Sequence, residues 1–269
     1  MSANPIRYAL GLLQDDSENE QAWKDLEDAL ASAEGSSLEG GASLLSAARR
    51  AHEMRREHDA VARLLALEAR LAGRTSPEDE ARLLGELAQL KDEELLDDEG
   101  AVEVYRRILE LVPGDAQAEE AIERSEAKRA RWRDVVARFL DEAKKTNESA
   151  FKSSLLVSAA ETGYRYGRSG QPEDERREVT ATILERLRDA LAIDPKNRRA
   201  AHLLELVFRS EERWEDLAGA LERGAQAAPG RDEKIAYGLR LARLAKKRLG
   251  DRARAMAAYE RVVESAPGQ

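Results

Sequence analysis

LAQLKDEELLDDEGAVEVYRRILELVPG, residues 87–114, and LARLAKKRLGDRARAMAAYERVVESAPG, residues 241–268, are the two stretches whose agreement decides the fold. They align without a gap at a shift of 154 residues (241 minus 87). Leu87-Ala88 matches Leu241-Ala242, Leu90 matches Leu244 and Leu95 matches Leu249. Ala101, Tyr105, Ile108, Pro113 and Gly114 match Ala255, Tyr259, Val262, Pro267 and Gly268. Ala101, Tyr105 and Leu109 step by four, and at about 100° per residue that spacing lays a slowly drifting stripe along one face of a helix. Pro113 follows four residues later, where a proline ends the helix.

The same frame recurs outward from these copies. It reads Ile183, Leu187, Leu191, Pro195; then Leu217, Leu221, Ala225, Pro229; and Val135, Phe139, Ala143, Asn147. Fainter copies are Leu26-Leu30 and Val61-Leu65-Ala69-Gly73. All three tryptophans begin one phrase: Trp23-Lys24-Asp25-Leu26, Trp132-Arg133-Asp134-Val135 and Trp214-Glu215-Asp216-Leu217. A second ungapped register, at a shift of 82 (214 minus 132), pairs Pro113 with Pro195, Ala118 with Ala200, Ile122 with Leu204 and Phe139 with Leu221. Self-similarity of this kind marks a repeat architecture. The tryptophans, three residues ahead of each apolar stripe, are expected to pack between consecutive helices, each indole N–H reaching a carbonyl or water.

The stripes begin at 26, 61, 101, 135, 183, 217 and 255, and amphipathic segments such as 42–57, 77–93, 115–131 and 150–168 precede them. The expected fold is all-α: a right-handed superhelical α-solenoid of about seven antiparallel helix pairs, one domain over 1–269. The pairs fall near 4–38, 40–73, 77–113, 115–147, 148–195, 196–229 and 231–267. Ser76-Pro77-Glu78-Asp79 supplies an N-cap, a proline at the first helical position and early acids, and Gln171-Pro172-Glu173-Asp174 opens another helix in the same way. The glycine-rich run from Gly35 to Gly41 reads as the most flexible connector. The interval from 135 to 183 is the longest, so the helices near 162–191 are expected to be extended or to carry a loop. No stretch has the alternation of a strand.

Composition agrees with an elongated, wet array. Apolar residues make up 42% and charged residues 36% of the 269, against a usual charged share of roughly a quarter. Forty-four basic against 53 acidic residues leave a net charge of −9, which argues against general nucleic-acid binding. A helical-repeat RNA reader would also need regular base-reading positions and a basic groove. The absence of cysteine excludes disulfides, thiolate chemistry and Cys-based metal sites. The apolar run from Tyr8 to Leu13 is too short for a signal-peptide core or a membrane span. The expectation is a soluble cytoplasmic protein with no membrane or nucleic-acid partner.

No catalytic constellation stands out. His52-Glu53 and His58 resemble a zinc-protease helix, but that motif needs histidines four apart, and six apart turns them by about 240°. His202 is distant from both. There is no glycine-rich phosphate loop and no nucleophile elbow. Acid runs at Asp92-Glu93-Glu94 and Asp97-Asp98-Glu99 read as a solvated turn. The expectation is a protein that is not an enzyme and takes no cofactor or metal.

The pattern resembles the tetratricopeptide repeat family, a helix–turn–helix unit of about 34 residues. The second-helix signature stands as Ala101, Tyr105, Pro113 and as Ala255, Tyr259, Pro267, the first-helix signature as Leu87-Ala88 and Leu241-Ala242, and the turn as Gly250-Asp251. The resemblance implies protein–protein recognition, with a partner peptide or helix in a concave groove lined by first helices. Carried onto matching positions, it nominates Arg82, Gln89, Glu161, Tyr164, Arg243 and Lys246, and from the tryptophan-type units Glu120, Arg124, His202 and Arg209. An extra residue between Ala242 and Gly250, relative to the family, threatens to rotate this assignment by one position. The family's chaperone-carboxylate clamp needs asparagine and lysine on first helices. The asparagines here are Asn4, Asn19, Asn147 and Asn197, so that clamp is not expected.

Two basic clusters qualify the charge picture. Arg240, Arg243, Lys246, Lys247, Arg248, Arg252 and Arg254 share fifteen residues with one acid, Asp251, and Lys128, Arg129, Arg131 and Arg133 form a smaller group. Each reads either as a solvated helix face or as a site for an acidic peptide, or for the acidic turn of another copy. The sequence stops at Ala266-Pro267-Gly268-Gln269 without the polar capping helix usual in tandem arrays. The expectation is a fragment of a longer array or a terminal repeat face covered by a partner. Two functions therefore stand: an adaptor binding a peptide or helix in a groove, and a structural subunit that self-associates or docks through its C-terminal repeat.

Overall fold

The helices begin where short polar side chains meet the apolar stripes. In the computed structural model, which describes residues 4–34, 36–168 and 170–265, Asn4 caps α1 (Pro5–Asp15) by accepting from the Ile6 and Arg7 N–H groups. Asn19 caps α2 (Glu20–Ala31), Ser76 caps α5 (Pro77–Glu93), and Asp97 caps α6 (Asp98–Leu111). Each side-chain oxygen satisfies a donor that the first helical turn leaves open. The remaining helices before Ser125 are α3 (Ser36–Met54), α4 (His58–Ala72) and the greater part of α7 (Ala116–Ala130). No strand occurs among the described residues.

The chain forms two compact units, residues 1–125 and 126–269, with the division falling inside α7. In the first unit α1 packs on both α2 and α3, and from α3 to α6 each helix packs on the next. Contact between alternate helices is what stacked helical pairs produce. The core of α1 to α4 gathers Leu10, Leu13, Trp23, Leu26, Leu30, Leu45 and Leu64. A neighbouring cluster, Val61, Leu65, Leu83, Leu84, Leu87 and Ile108, joins α4 to α6. The 61-65-69 stripe is fully buried, whereas Tyr105 and Leu109 are half-buried.

The second unit continues with α8 (Trp132–Lys145), α9 (Ser149–Tyr166), α10 (Glu173–Ile193), α11 (Arg198–Ser210), α12 (Trp214–Ala227), α13 (Arg231–Leu244) and α14 (Arg252–Ser265). Each packs on its successor, and α9 also meets α11. Ile183, Leu187, Leu203, Leu217, Leu221 and Leu241 fill its interior. The long interval in the sequence appears as two long helices: α9 has 18 residues and α10 has 21. Asn197 caps α11, so Asn4, Asn19 and Asn197 all have structural duties.

Three expectations change. The glycine-rich run is not a loop beyond Gly35, since α3 already includes Ser36 and runs through Gly40 and Gly41; Gly35 itself lies outside the described residues. A Cβ on Gly41 would stand 3.3 Å from Ile6 and 3.5 Å from Leu30, so that glycine admits close helix packing. The tryptophans are not equivalent. Trp23 is 1% exposed and donates from Nε1 to the Ser17 carbonyl at 2.9 Å. Trp132 and Trp214 are half-buried, each beneath a guanidinium, Arg133 at 4.7 Å and Arg248 at 4.9 Å. Finally, the extra residue before Gly250 is taken up by a π-helical turn, Ala245–Leu249, at the end of α13. One added residue per turn is what a π-bulge accommodates. Gly250 closes it at φ +67, a left-handed conformation that glycine adopts without steric cost, and Asp251 then accepts from the Arg254 N–H. The chain's last four residues, with Pro267 and Gly268, lie outside the described residues.

Candidate protein-binding surface

The nominated groove positions fall into two kinds. In the first unit they are exposed and paired along their own helices: Arg82 with Glu86 at 2.7 Å and Gln89 with Glu93 at 3.0 Å on α5, Glu120 with Arg124 at 3.0 Å on α7. Such exposed pairs one turn apart contribute little to stability and leave both side chains accessible to a partner.

In the second unit several are absorbed into the packing of α9, α11 and α13. Glu161 is buried, accepting from Arg165 at 3.1 Å and from Arg199 of α11 at 2.6 Å. Tyr164 is half-buried with the Arg168 guanidinium 4.8 Å from its ring. His202, Arg209 and Arg243 are half-buried, while Lys246 is exposed on the π-helical turn. Beside them runs a pairing absent from the nominated positions: buried Glu205 of α11 holds Arg240 of α13, and Arg198 reaches Glu233 at 3.1 Å. Charged side chains thus tie first helix to first helix. The two members of each pair that crosses between helices lie 35 to 38 residues apart in the chain, so nothing in local sequence announces the pairing.

The basic run near the C-terminus is correspondingly depleted. Arg240 belongs to Glu205, Arg248 covers Trp214, and Arg254 donates to Glu222 at 3.0 Å and Glu215 at 2.8 Å. The Glu222 hydrogen bond holds the Arg254 guanidinium above its ordinary value. In the first unit, burial pushes the Glu68 carboxyl up, opposed by its hydrogen bond from Arg49 at 3.1 Å. His52 is buried against Glu57 and His58 stands 3.7 Å from Glu94. Among the described residues no group of three potential ligands is arranged to hold a metal.

The outer face of α14 differs from every surface above. Ala255 and Ala258 are buried, and Val262 packs beside Gly238 of α13, where a Cβ would come within 2.5 Å of it. Met256, Tyr259 and Val263 point the other way and are 63%, 37% and 60% exposed. Their spacing of three and four makes one continuous apolar stripe. Arg252 borders it towards the helix start, Glu260 and Glu264 towards its end, all exposed. The signal was present in the sequence as a second set of apolar positions, one residue out of phase with the stripe that faces inward.

Residues 236–268, the segment holding this helix, match the tetratricopeptide repeat family. No curated protein matches the chain. Among solved structures, MamA (residue 41 to the end) from Desulfovibrio magneticus RS-1 is similar at 20% identity over 85% of this chain and 96% of that one, with a TM-score of 0.30. BtubC (BKLC) from P. vanneervenii is similar at 13% identity over 99% of this chain and 92% of that one, with a TM-score of 0.32. Overlaps of that size leave the arrangement of these helices to be read from this chain alone. No described helix is long and apolar enough to cross a membrane.

Proposed function

We propose that this chain, with a tetratricopeptide repeat in its last helix pair, is a non-enzymatic protein-interaction scaffold that pairs with a second copy through the outer face of α14. The observation that carries the reading is the exposed stripe of Met256, Tyr259 and Val263. An apolar helix face left in water is a binding surface or a liability. Its charges choose the occupant: with Arg252 near one end and Glu260 and Glu264 near the other, an antiparallel copy brings opposite charges together. A two-fold axis makes the contact self-complementary and closed.

Sedimentation equilibrium over a range of concentrations tests this. The parent chain is expected to dimerise reversibly, and Met256→Asp and Val263→Asp are each expected to leave a monomer with unchanged helix content. A parent that stays monomeric, or association that survives both substitutions, overturns the reading.

A second reading, a peptide or helix in a first-helix groove, is favoured by the accessibility of Arg82, Gln89, Glu120, Arg124 and Lys246. Polar groove positions of this sort fix a peptide's direction while apolar pockets take its anchors. Partner binding lost in Arg243→Glu/Lys246→Glu but retained in Val263→Asp supports it, and the reverse pattern rejects it.

A further inference from the structure

A cavity of about 250 Å³ opens in the second unit between α10 and the turn joining α11 to α12. Five lining residues, Arg177, Thr180, Ala181, Leu184 and Arg188, lie on one face of α10; Glu211 and Arg213 come from the turn. That turn is held by Glu212 at φ +52, an uncommon backbone conformation for a residue with a side chain. It presents the side chains before and after Glu212 towards α10. The volume is below the usual range of roughly 300–1,000 Å³ for small-molecule and cofactor sites, and suits one or two side chains.

The charges do not cancel. Arg177 pairs with Glu173, Arg213 with Asp216, and Glu211 with Arg168. Arg188 has no ion-pair or hydrogen-bond partner among the described residues, which leaves one positive charge over. Arg213 is further fixed by stacking 5.1 Å from the Phe208 ring, so its fork is oriented in advance. Beneath the arginines, Thr180 is 5% exposed and its hydroxyl has no hydrogen-bond partner among the described residues. Elsewhere in this unit the same side chain satisfies itself on its own helix: Thr182 donates to the Glu178 carbonyl at 2.9 Å and Thr162 to the Ser158 carbonyl at 2.8 Å. A buried hydroxyl without a partner destabilises the free protein, and here it lines a cavity with a spare guanidinium.

We infer that this cavity receives a glutamate or aspartate side chain of an acidic partner peptide, its carboxylate held by Arg188, Arg213 and the Thr180 hydroxyl. One uncompensated charge matches a carboxylate better than a doubly charged phosphate. Arginine's planar fork fits a carboxylate through two parallel hydrogen bonds. Ala181 and Leu184 provide an apolar floor for the residue next to the acid, which favours a peptide over a free small anion. The site lies on the second helix of its pair, on other elements than the α14 stripe, so it is independent of the dimer reading.

The probe is a fluorescent heptapeptide of alternating leucine and glutamate, titrated into the full chain by anisotropy at low salt, beside its leucine–glutamine counterpart and inorganic phosphate. The glutamate peptide is expected to bind saturably, and Arg188→Glu and Arg213→Glu are each expected to weaken it by at least about tenfold. Val263→Asp is expected to leave it unchanged. Thr180→Val separates function from structure: it is expected to raise the thermal midpoint of the free chain by relieving the unpaired hydroxyl, yet weaken the peptide by about threefold or more. Equal binding of the glutamine peptide, binding indifferent to both charge reversals, or phosphate binding without peptide binding overturns the proposal. So does a Thr180→Val chain that binds as tightly as the parent.

Discussion

At the scale of single residues, identical sequence phrases acquire different energies from their surroundings. Trp23 is enclosed, hydrogen-bonded to Ser17 and covered by Arg63 at 4.3 Å; Trp214 keeps one face towards solvent under Arg248. Removing a large buried aromatic costs about 3–5 kcal/mol. Removing a half-exposed ring under a cation loses part of its burial and roughly 0.5–1 kcal/mol of cation–π attraction. Trp23→Ala is therefore expected to destabilise its unit by about 3–5 kcal/mol, and Trp214→Ala by less than about 2 kcal/mol. Urea denaturation followed by circular dichroism measures both, and equal losses would contradict the difference in burial. Threonine gives the same lesson: Thr180 and Thr182 are two residues apart on α10, yet the Thr182 hydroxyl bonds the helix behind it and the Thr180 hydroxyl, beside an open cavity, has no partner among the described residues.

At the scale of elements, neighbouring first helices are joined by paired charges as well as by apolar faces. Glu205 and Arg240 connect α11 to α13 with 5% and 14% of their side chains exposed. Deleting one member of a buried pair strands the other charge and costs roughly 3–5 kcal/mol, whereas replacing both with apolar residues of similar size is often neutral or stabilising. Glu205→Leu alone is expected to fall in that destabilising range, and Glu205→Leu with Arg240→Met to recover most of the loss. A double mutant as unstable as the single one, in a thermodynamic cycle from urea denaturation, would show that the pair's geometry matters more than its desolvation. The π-helical turn at Ala245–Leu249 is the other element-level device. It absorbs one residue while keeping Leu244 and Ala245 buried, then hands the chain to α14 through Gly250.

At the scale of the whole molecule, 36% charged residues do not make a fold held by charge. Most ion pairs here are at least partly exposed, and such pairs contribute about 0–1 kcal/mol each. Salt screens them, but it also screens the mutual repulsion of a chain carrying −9. These effects oppose each other. Thermal midpoints are expected to move by less than about 8 °C between about 0.05 and 1 M sodium chloride. A larger fall, read by scanning calorimetry, would assign the main stabilising role to the ion pairs rather than to the apolar interior.

The sequence alone was enough for the helices, their all-α class and the tetratricopeptide character of 236–268, because periodicity, caps and turn residues are local properties. The run Ala101-Tyr105-Pro113 and its copy at 255–267 say where helices start and stop whatever surrounds them. Even the π-helical turn was foreshadowed, as one residue too many before Gly250. Tertiary structure decided what each exposed or charged position is worth. Glu161 and Arg240 read as surface charges until helices from elsewhere in the chain supplied their partners, and Arg188 stands out only because its neighbours are already paired. Met256, Tyr259 and Val263 are ordinary apolar residues in one dimension. They form an exposed apolar stripe because α13 packs against the other side of α14. Burial and pairing depend on distance in space, and along the chain those distances are not written.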